Sequence, residues 1–481
     1  MVCSATAFAQ PALECPAGAA PLHAPPPVPE DAWYCVKPDG TREGPFETRF
    51  PDGTPSTRGV YVKGKLEGPW ERHAPGGTIV EEGTYVAGHK DGHWKQSTAT
   101  GSLIGEYDLP GGTGTEKTWL PDGTLYRERG MRKGKPHGTD RFYTSDGQVI
   151  DVAHYYAGSL DGPHQFGSKA NLRIEETFGG GTRRGKRSIW QFWLLLAEEN
   201  FDNGGHRDGE YTLWRSKTIQ RVHGQYAHGK RDGVWTWNDR SGNKEKEGTY
   251  IEGKKDGVWN EWYENKLAST ATYVDGKVEG DVVIYDHSEK ELGRYTMTAG
   301  TGTVETYYPN KKVSSRQHQT DGDDDGIYQE LTPRGRVTVE GHYRSDLRSG
   351  SWKEQTELGV PTLEQHWAHG RLYGVVRKFV NGKVSMEATY KDGKAEGAYT
   401  EFRDGKPSLT GRFGGDRKQG TWTTYGADGS VTLVATYKDG VLEGPWKQVS
   451  DGVTLEGAMA GGHRAGTWKR TDKSGTTTTS Y

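Results

Sequence analysis

The sequence predicts an all-β chain, an elongated, twisted single-layer array of antiparallel β-hairpins. The first observation behind this is a recurring frame, Tyr-x-x-Gly-x-x-x-Gly-x-Trp. It stands at Gly59, Tyr61, Gly64, Gly68 and Trp70, then at Gly83, Tyr85, Gly88, Gly92 and Trp94, then at Gly248, Tyr250, Gly253, Gly257 and Trp259, and again at Tyr437, Gly440, Gly444 and Trp446. The second is composition. Only 32% of the 481 residues are hydrophobic while 11% are aromatic and 70 are Gly, so large flat side chains must do the work of an aliphatic core, which suits a thin structure. The third is punctuation by turn formers between frames, as at Asp52-Gly53, Asp122-Gly123, Asn381-Gly382 and Asp428-Gly429.

Taken in order, residues 1–9 end on Ala7-Phe8-Ala9, the small-x-small form of a signal-peptidase site without a charged n-region, and read as a truncated signal peptide. Cleavage there would remove Cys3 and leave Cys15 and Cys35 as an even pair, which points to a disulfide and to export; two free thiols in a tail are the alternative. Residues 10–36 form a Cys/Pro-rich segment whose run from Pro25 to Pro29 is expected to be extended polyproline II.

From there the last glycine of the frame acts as a ruler. It marks 19 positions from Gly44 to Gly466 at intervals of 22, 23 or 24 residues, so residues 37–481 read as about 19 repeats with no domain boundary. Each period holds two turns and two short segments rich in Thr, Val, Tyr and Trp, which are strands. With two strands per period, on the order of 38 strands at about 4.8 Å each would extend roughly 180 Å. A turn centred between Lys65 and Leu66 would set Tyr61 opposite Trp70 and Lys63 opposite Gly68, leaving the glycine as room for neighbouring rings. A single such hairpin is marginal in water, so the repeats must share their aromatic faces.

This frame and periodicity resemble the MORN repeat, and more closely its bacterial variant grouped as antitoxin-like repeat proteins. The resemblance covers about residues 37–481. It departs from the commoner form in having Gly-x-Trp, as at Gly92-His93-Trp94, in place of Gly-x-Gly. The resemblance implies a hairpin array acting as a scaffold in protein binding, sometimes at membranes, with no family catalytic residues to carry over.

Net charge is -3 and the basic residues are dispersed, so nucleic acid is not an expected partner. No run of 18 apolar residues is present to span a membrane, although peripheral membrane contact stays open. The segment Gly180 to Arg187 imitates a phosphate loop, but Arg187 replaces the Ser or Thr that magnesium needs. Asp321, Asp323 and Asp325 open like a calcium loop, yet Thr332 stands where the bidentate Glu belongs; a solvated acidic turn is the plainer reading. Residues 189–197 are the most apolar run, and Trp190, Phe192, Trp193 and Leu194 are the candidate binding surface. The 16 histidines form no metalloprotease motif, and most, such as His89 and His228, fall in or beside turns.

Four consecutive periods lack the frame's Trp, with Glu116, Asp140, His164 and Arg187 in its place, which reads as drift, a bend or a specialised surface. The function expected from these observations is a non-catalytic, cofactor-free scaffold that binds an unidentified protein or a surface polymer, secreted, periplasmic or envelope-associated. The alternative is an intracellular antitoxin or immunity protein that neutralises a toxin by direct binding.

Overall fold

The computed structural model describes residues 12–24 and 31–481, so Ala7, Phe8 and Ala9 and the run from Pro25 to Pro29 lie outside the described residues. The chain falls into two compact units, Met1–Gly242 and Asn243–Tyr481. Both units are all-β, with antiparallel strands that follow one another in the sheet in sequence order. In the first unit one sheet runs from Ala20–Ala24 to Leu103–Leu109, the 3-10 turn Pro110–Gly112 follows, and a second sheet starts at Gly114–Trp119. In the second unit the strands run from Lys244–Ile251 to Gly475–Ser480.

Strands begin ahead of the predicted boundary at residue 37. Ala20–Ala24 pairs with Asp31–Val36, which pairs with Arg42–Arg49. The cause is local: Ala32, Trp33 and Cys35 are all buried, so this short stretch has apolar surface enough to join the sheet. Cys35 is bridged to Cys15, with Cα atoms 5.4 Å apart, which ties residues outside the hairpin to its second strand.

The hairpin register differs from the one predicted. Tyr61 pairs with Leu66 and Val62 with Lys65, so the turn is Lys63-Gly64, at φ 51° and 77°, and Tyr61 does not face Trp70. Two positive φ values define the type I′ turn that matches strand twist. Counting from the centre of the frame misses a bulge. In the next repeat Thr84 pairs with Asp91 but Glu82 pairs with Lys95, and the slack is taken up at Gly92, at φ 64°.

Where a glycine stands two residues before the Tyr, a position that frame counting left without a role, the bulge delivers the Trp onto it. A Cβ on Gly83 would lie 2.2 Å from the Trp94 indole, and on Gly248 2.1 Å from that of Trp259; Gly68, which was expected to make this room, has nothing within 4 Å. The indole N–H then donates to a backbone carbonyl beside the bulge, Trp259 to Thr249 O at 3.1 Å and Trp352 to His342 O at 3.1 Å. Tyr and Trp meet diagonally, edge to face: the ring centroids of Tyr250 and Trp259 are 5.0 Å apart, and those of Tyr85 and Trp94 are 5.3 Å apart. Such pairs contribute about 0.5–1.5 kcal/mol beyond area burial. A basic residue two places before the last glycine lies on the indole: Lys90 is 4.2 Å from Trp94, Arg348 4.2 Å from Trp352 and Lys418 4.3 Å from Trp422. Its methylene stem completes the cover, and Trp94 reaches 0% exposure on a one-layer sheet.

In several repeats an acidic residue before the last glycine links the repeat to the next. Glu43 accepts a hydrogen bond from Lys63 N at 2.7 Å, Glu67 from Ala87 N at 2.7 Å and Asp91 from Gly111 N at 3.1 Å. In the second unit Glu279 does the same for Ala299 N at 2.6 Å and Glu443 for Gly461 N at 2.7 Å. The turn N–H would otherwise have no partner in its own hairpin, so a charge-assisted bond across repeats satisfies it.

Candidate functional site

The apolar run is a hairpin, Thr182–Gln191 returning as Leu194–Phe201, and its turn is Phe192-Trp193. Both residues have positive φ, 49° and 63°, in a turn that elsewhere holds pairs such as Lys63-Gly64 or Asp321-Gly322. Bulky side chains are disfavoured there. Phe192 is 70% and Trp193 66% exposed, so no burial offsets that strain. The backbone is held from the neighbouring turn, with Trp193 N donating to Lys169 O at 2.8 Å and Phe192 N to Asn171 O at 3.3 Å. Trp190 is half-buried beneath the Lys169 ammonium, 4.1 Å from its ring, and Leu194 is half-buried as well. Of the four residues predicted as a surface, Phe192 and Trp193 are therefore the protruding pair and Trp190 and Leu194 their base. Lys169, on the preceding turn, and Arg215 and Lys217, on the following one, flank the tip, and residues 168–171 and 215–218 contain no acid.

The periods without the frame's Trp are not random in structure. Asp140 occupies the Trp position and Arg129 the glycine position that the Trp would cover, and the two pair: Arg129 Nε donates to Asp140 at 3.0 Å, and Arg127 donates at 2.8 and 2.6 Å. Arg187 and Glu176 repeat the exchange with charges reversed, 3.4 Å apart. Glu199, 3% exposed, accepts from Arg187 at 2.8 Å and Arg207 at 2.7 Å. In these two periods the ring seated on glycine is replaced by an ion pair between the same two positions.

Within this stretch His164 donates or accepts through both ring nitrogens, Nε2 at 3.0 Å from Asp151 and Nδ1 at 3.3 Å from Glu176, which is itself held by Arg183 at 2.6 Å. Two carboxylate partners suit the imidazolium, which donates at both nitrogens. The hydrogen bond to Asp151 leads in raising the His164 pKa above its ordinary value, against a smaller opposing effect of burial. A folded pKa above the unfolded one stabilises the fold fully below the unfolded value, about 6.5, and that contribution is lost as pH rises through the raised folded value. Urea unfolding followed from pH 5 to 9 should therefore show a loss of stability on the alkaline side that His164→Gln lacks; parallel profiles for the two proteins would contradict it.

Asp321, Asp323 and Asp325 are not gathered into a ligand set. Asp321 sits in a turn and pairs with Lys277, while Asp323 begins the outgoing strand opposite Thr320. A two-residue turn spreads these carboxylates along the strand instead of wrapping them around a point. Among the described residues the group of His, Cys, Asp or Glu that does converge is Asp202, Asp208 and His228. Sequence reading left those residues as surface groups. No helix among the described residues is long and apolar enough to cross a membrane.

Residues 231–252 match the family described as MORN repeat variant. The match covers one period of the frame, with Gly233 and Trp235 closing one hairpin and Gly248 and Tyr250 opening the next. No curated protein matches the chain. Among solved structures, the TcdB2-TccC3-Cdc42 crystal structure is 10% identical over 93% of this chain and 27% of that one, at a TM-score of 0.13. The TcdB2-TccC3 crystal structure is 11% identical over 92% of this chain and 28% of that one, also at 0.13. The chain thus spans little more than a quarter of these proteins.

Proposed function

We propose that this chain is a non-catalytic β-repeat scaffold that binds a protein partner outside the cytosol, with the Phe192-Trp193 turn as its principal contact. The observation that carries the reading is the pair of exposed aromatic side chains held at left-handed backbone positions. Strain and exposure together serve no folding purpose, whereas rigid aromatic anchors at a protruding turn are what tight interfaces are built around. The flanking Lys169, Arg215 and Lys217 suit a partner whose apolar pocket is rimmed by acid. The repeat match supports a binding scaffold over an enzyme, and the Cys15–Cys35 bridge supports an oxidising compartment.

The test uses a substitution that separates binding from folding. Asn-Gly is the preferred type I′ pair, so Phe192→Asn with Trp193→Gly removes both rings while relaxing the backbone. The double variant should unfold at the same or a higher temperature than the wild type, yet lose its partner in a crosslinked pull-down from fractionated cells. Retention of the partner by a folded double variant would move the contact elsewhere. Recovery of the wild-type protein in the cytosol with reduced cysteines would favour the antitoxin alternative, and flotation with anionic vesicles lost in the variant would make the ligand a lipid surface.

A further inference from the structure

We propose that Asp202, Asp208 and His228, with His206 at their edge, form a binding site for a divalent transition metal of the zinc class. Asp202 Oδ2 lies 3.4 Å from His206 Nδ1 and 3.4 Å from His228 Nδ1, and His228 Nδ1 lies 3.5 Å from Asp208 Oδ2. These separations are long for N–H···O bonds, the one between His228 and Asp202 being a long hydrogen bond as it stands. They match the edge of a tetrahedron around an ion: bonds of about 2.0–2.1 Å to His nitrogen and carboxylate oxygen place neighbouring ligand atoms about 3.3–3.4 Å apart. The ligating atoms of Asp202, Asp208 and His228 all lie within 4.8 Å of one another, while His206 stands outside that set and touches Asp202.

The backbone prepares this arrangement. Most neighbouring hairpins on this edge close with a two-residue turn, such as Ala87-Gly88, but residues 202–206 form a wider loop in which Asp202 N donates to His206 O at 2.8 Å. Asp202 Oδ1 accepts from Gly204 N at 2.8 Å and His206 N at 2.9 Å, which fixes the carboxylate with Oδ2 aimed at the two imidazoles. Outer hydrogen bonds of this kind orient a ligand and keep it ionised. Gly204 is part of the design, because a Cβ there would come within 3.0 Å of His206 Nδ1. Asp208 keeps the role of the repeat's linking acid, accepting from His228 N at 3.2 Å, so its carboxylate is already directed at the next turn. An imidazole beside two carboxylates, with a second imidazole at the edge, favours zinc and its neighbours over calcium or magnesium, which take oxygen ligands alone. His228, 84% exposed, leaves the site open to solvent, which suits an exchangeable ion that joins two adjacent repeats.

The full chain, untagged, carrying Cys3→Ser and stripped with a chelator, would be titrated with Co²⁺ and the visible d–d absorption recorded, then back-titrated with Zn²⁺. One saturating equivalent, displaced by one equivalent of Zn²⁺, is expected. His228→Ala should weaken binding at least tenfold, while His89→Ala, beside a turn of another repeat, should leave it unchanged. Zn²⁺ should also raise the unfolding temperature of the wild type but not of the double His206→Ala, His228→Ala variant. Absence of a saturable equivalent in the wild type, or equal affinity in a double variant that folds, would overturn the assignment.

Discussion

Trp94→Ala is expected to destabilise the first unit by about 3–5 kcal/mol, the range for removing a fully buried large aromatic. Its indole is 0% exposed and touches Trp70, Tyr85 and Tyr107, with ring centroids at 5.7, 5.3 and 6.4 Å. It also supports the stem of Lys90, whose pKa is raised because attraction by Glu81, Tyr107 and Glu116 outweighs the effect of burial. Deleting the ring therefore opens a hole against Gly83, which has no side chain with which to fill it. Because each repeat contacts mainly its neighbours, loss of protection in hydrogen exchange should concentrate on Ile79–Val86, His89–Ser97 and Leu103–Leu109. The complementary overpacking change, Gly83→Ala, should cost about 1–3 kcal/mol at the same place. A Trp94→Ala protein within 1 kcal/mol of the wild type would mean that the rings are not the core.

Asp140→Ala is the second large effect, about 3 kcal/mol, the lower end for breaking a buried ion pair, because it leaves two part-buried arginines without the carboxylate they share. Asp140 is 2% exposed and is the shared acceptor of Arg127 and Arg129. The reciprocal exchange offers a stringent check. Asp140→Trp alone puts an indole over the Arg129 side chain, whereas Asp140→Trp with Arg129→Gly rebuilds the glycine-supported pair of the regular repeats. Chemical denaturation of the two single variants and the double should show a favourable coupling of at least 1 kcal/mol, within the range for contacting residues. Additive effects would mean that the two positions do not act as a pair.

The architecture was legible because the same glycines return at the same interval, and a repeated turn residue has few structural meanings. What failed was counting across the hairpin. The bulge at Gly92 adds residues to one strand without any unusual residue type to announce it, since glycine was already assigned to turns. The missed signal was the first glycine of the frame: Gly83 and Gly248 each precede their Trp by 11 residues, a fixed distance that points to a ring seated on bare backbone. Charge exchange at Arg129 and Asp140 was equally readable once those two positions were known to face each other. The aromatic tip was visible as an apolar run, but only the φ angles of Phe192 and Trp193 separate a protruding turn from a thicker core. His206 and His228 stand 22 residues apart, one ruler interval, and so belong to corresponding edges of adjacent repeats. Scanning for local histidine motifs could not find a ligand set assembled between periods.

The carboxylate that several repeats extend to the turn of the next has a consequence for how such a chain can change length. Where donor and acceptor keep the same place, as Glu43 with Lys63 and Glu67 with Ala87 show, the joint made by deleting or duplicating a whole such period is the joint that was there before. A one-residue slip inside a strand that no turn or bulge takes up would instead turn the rings to the opposite face. Duplication in whole periods is thus nearly neutral for folding, and the array can be lengthened or shortened until its distinctive places, the aromatic tip and the histidine cluster among them, stand at the spacing a binding partner requires.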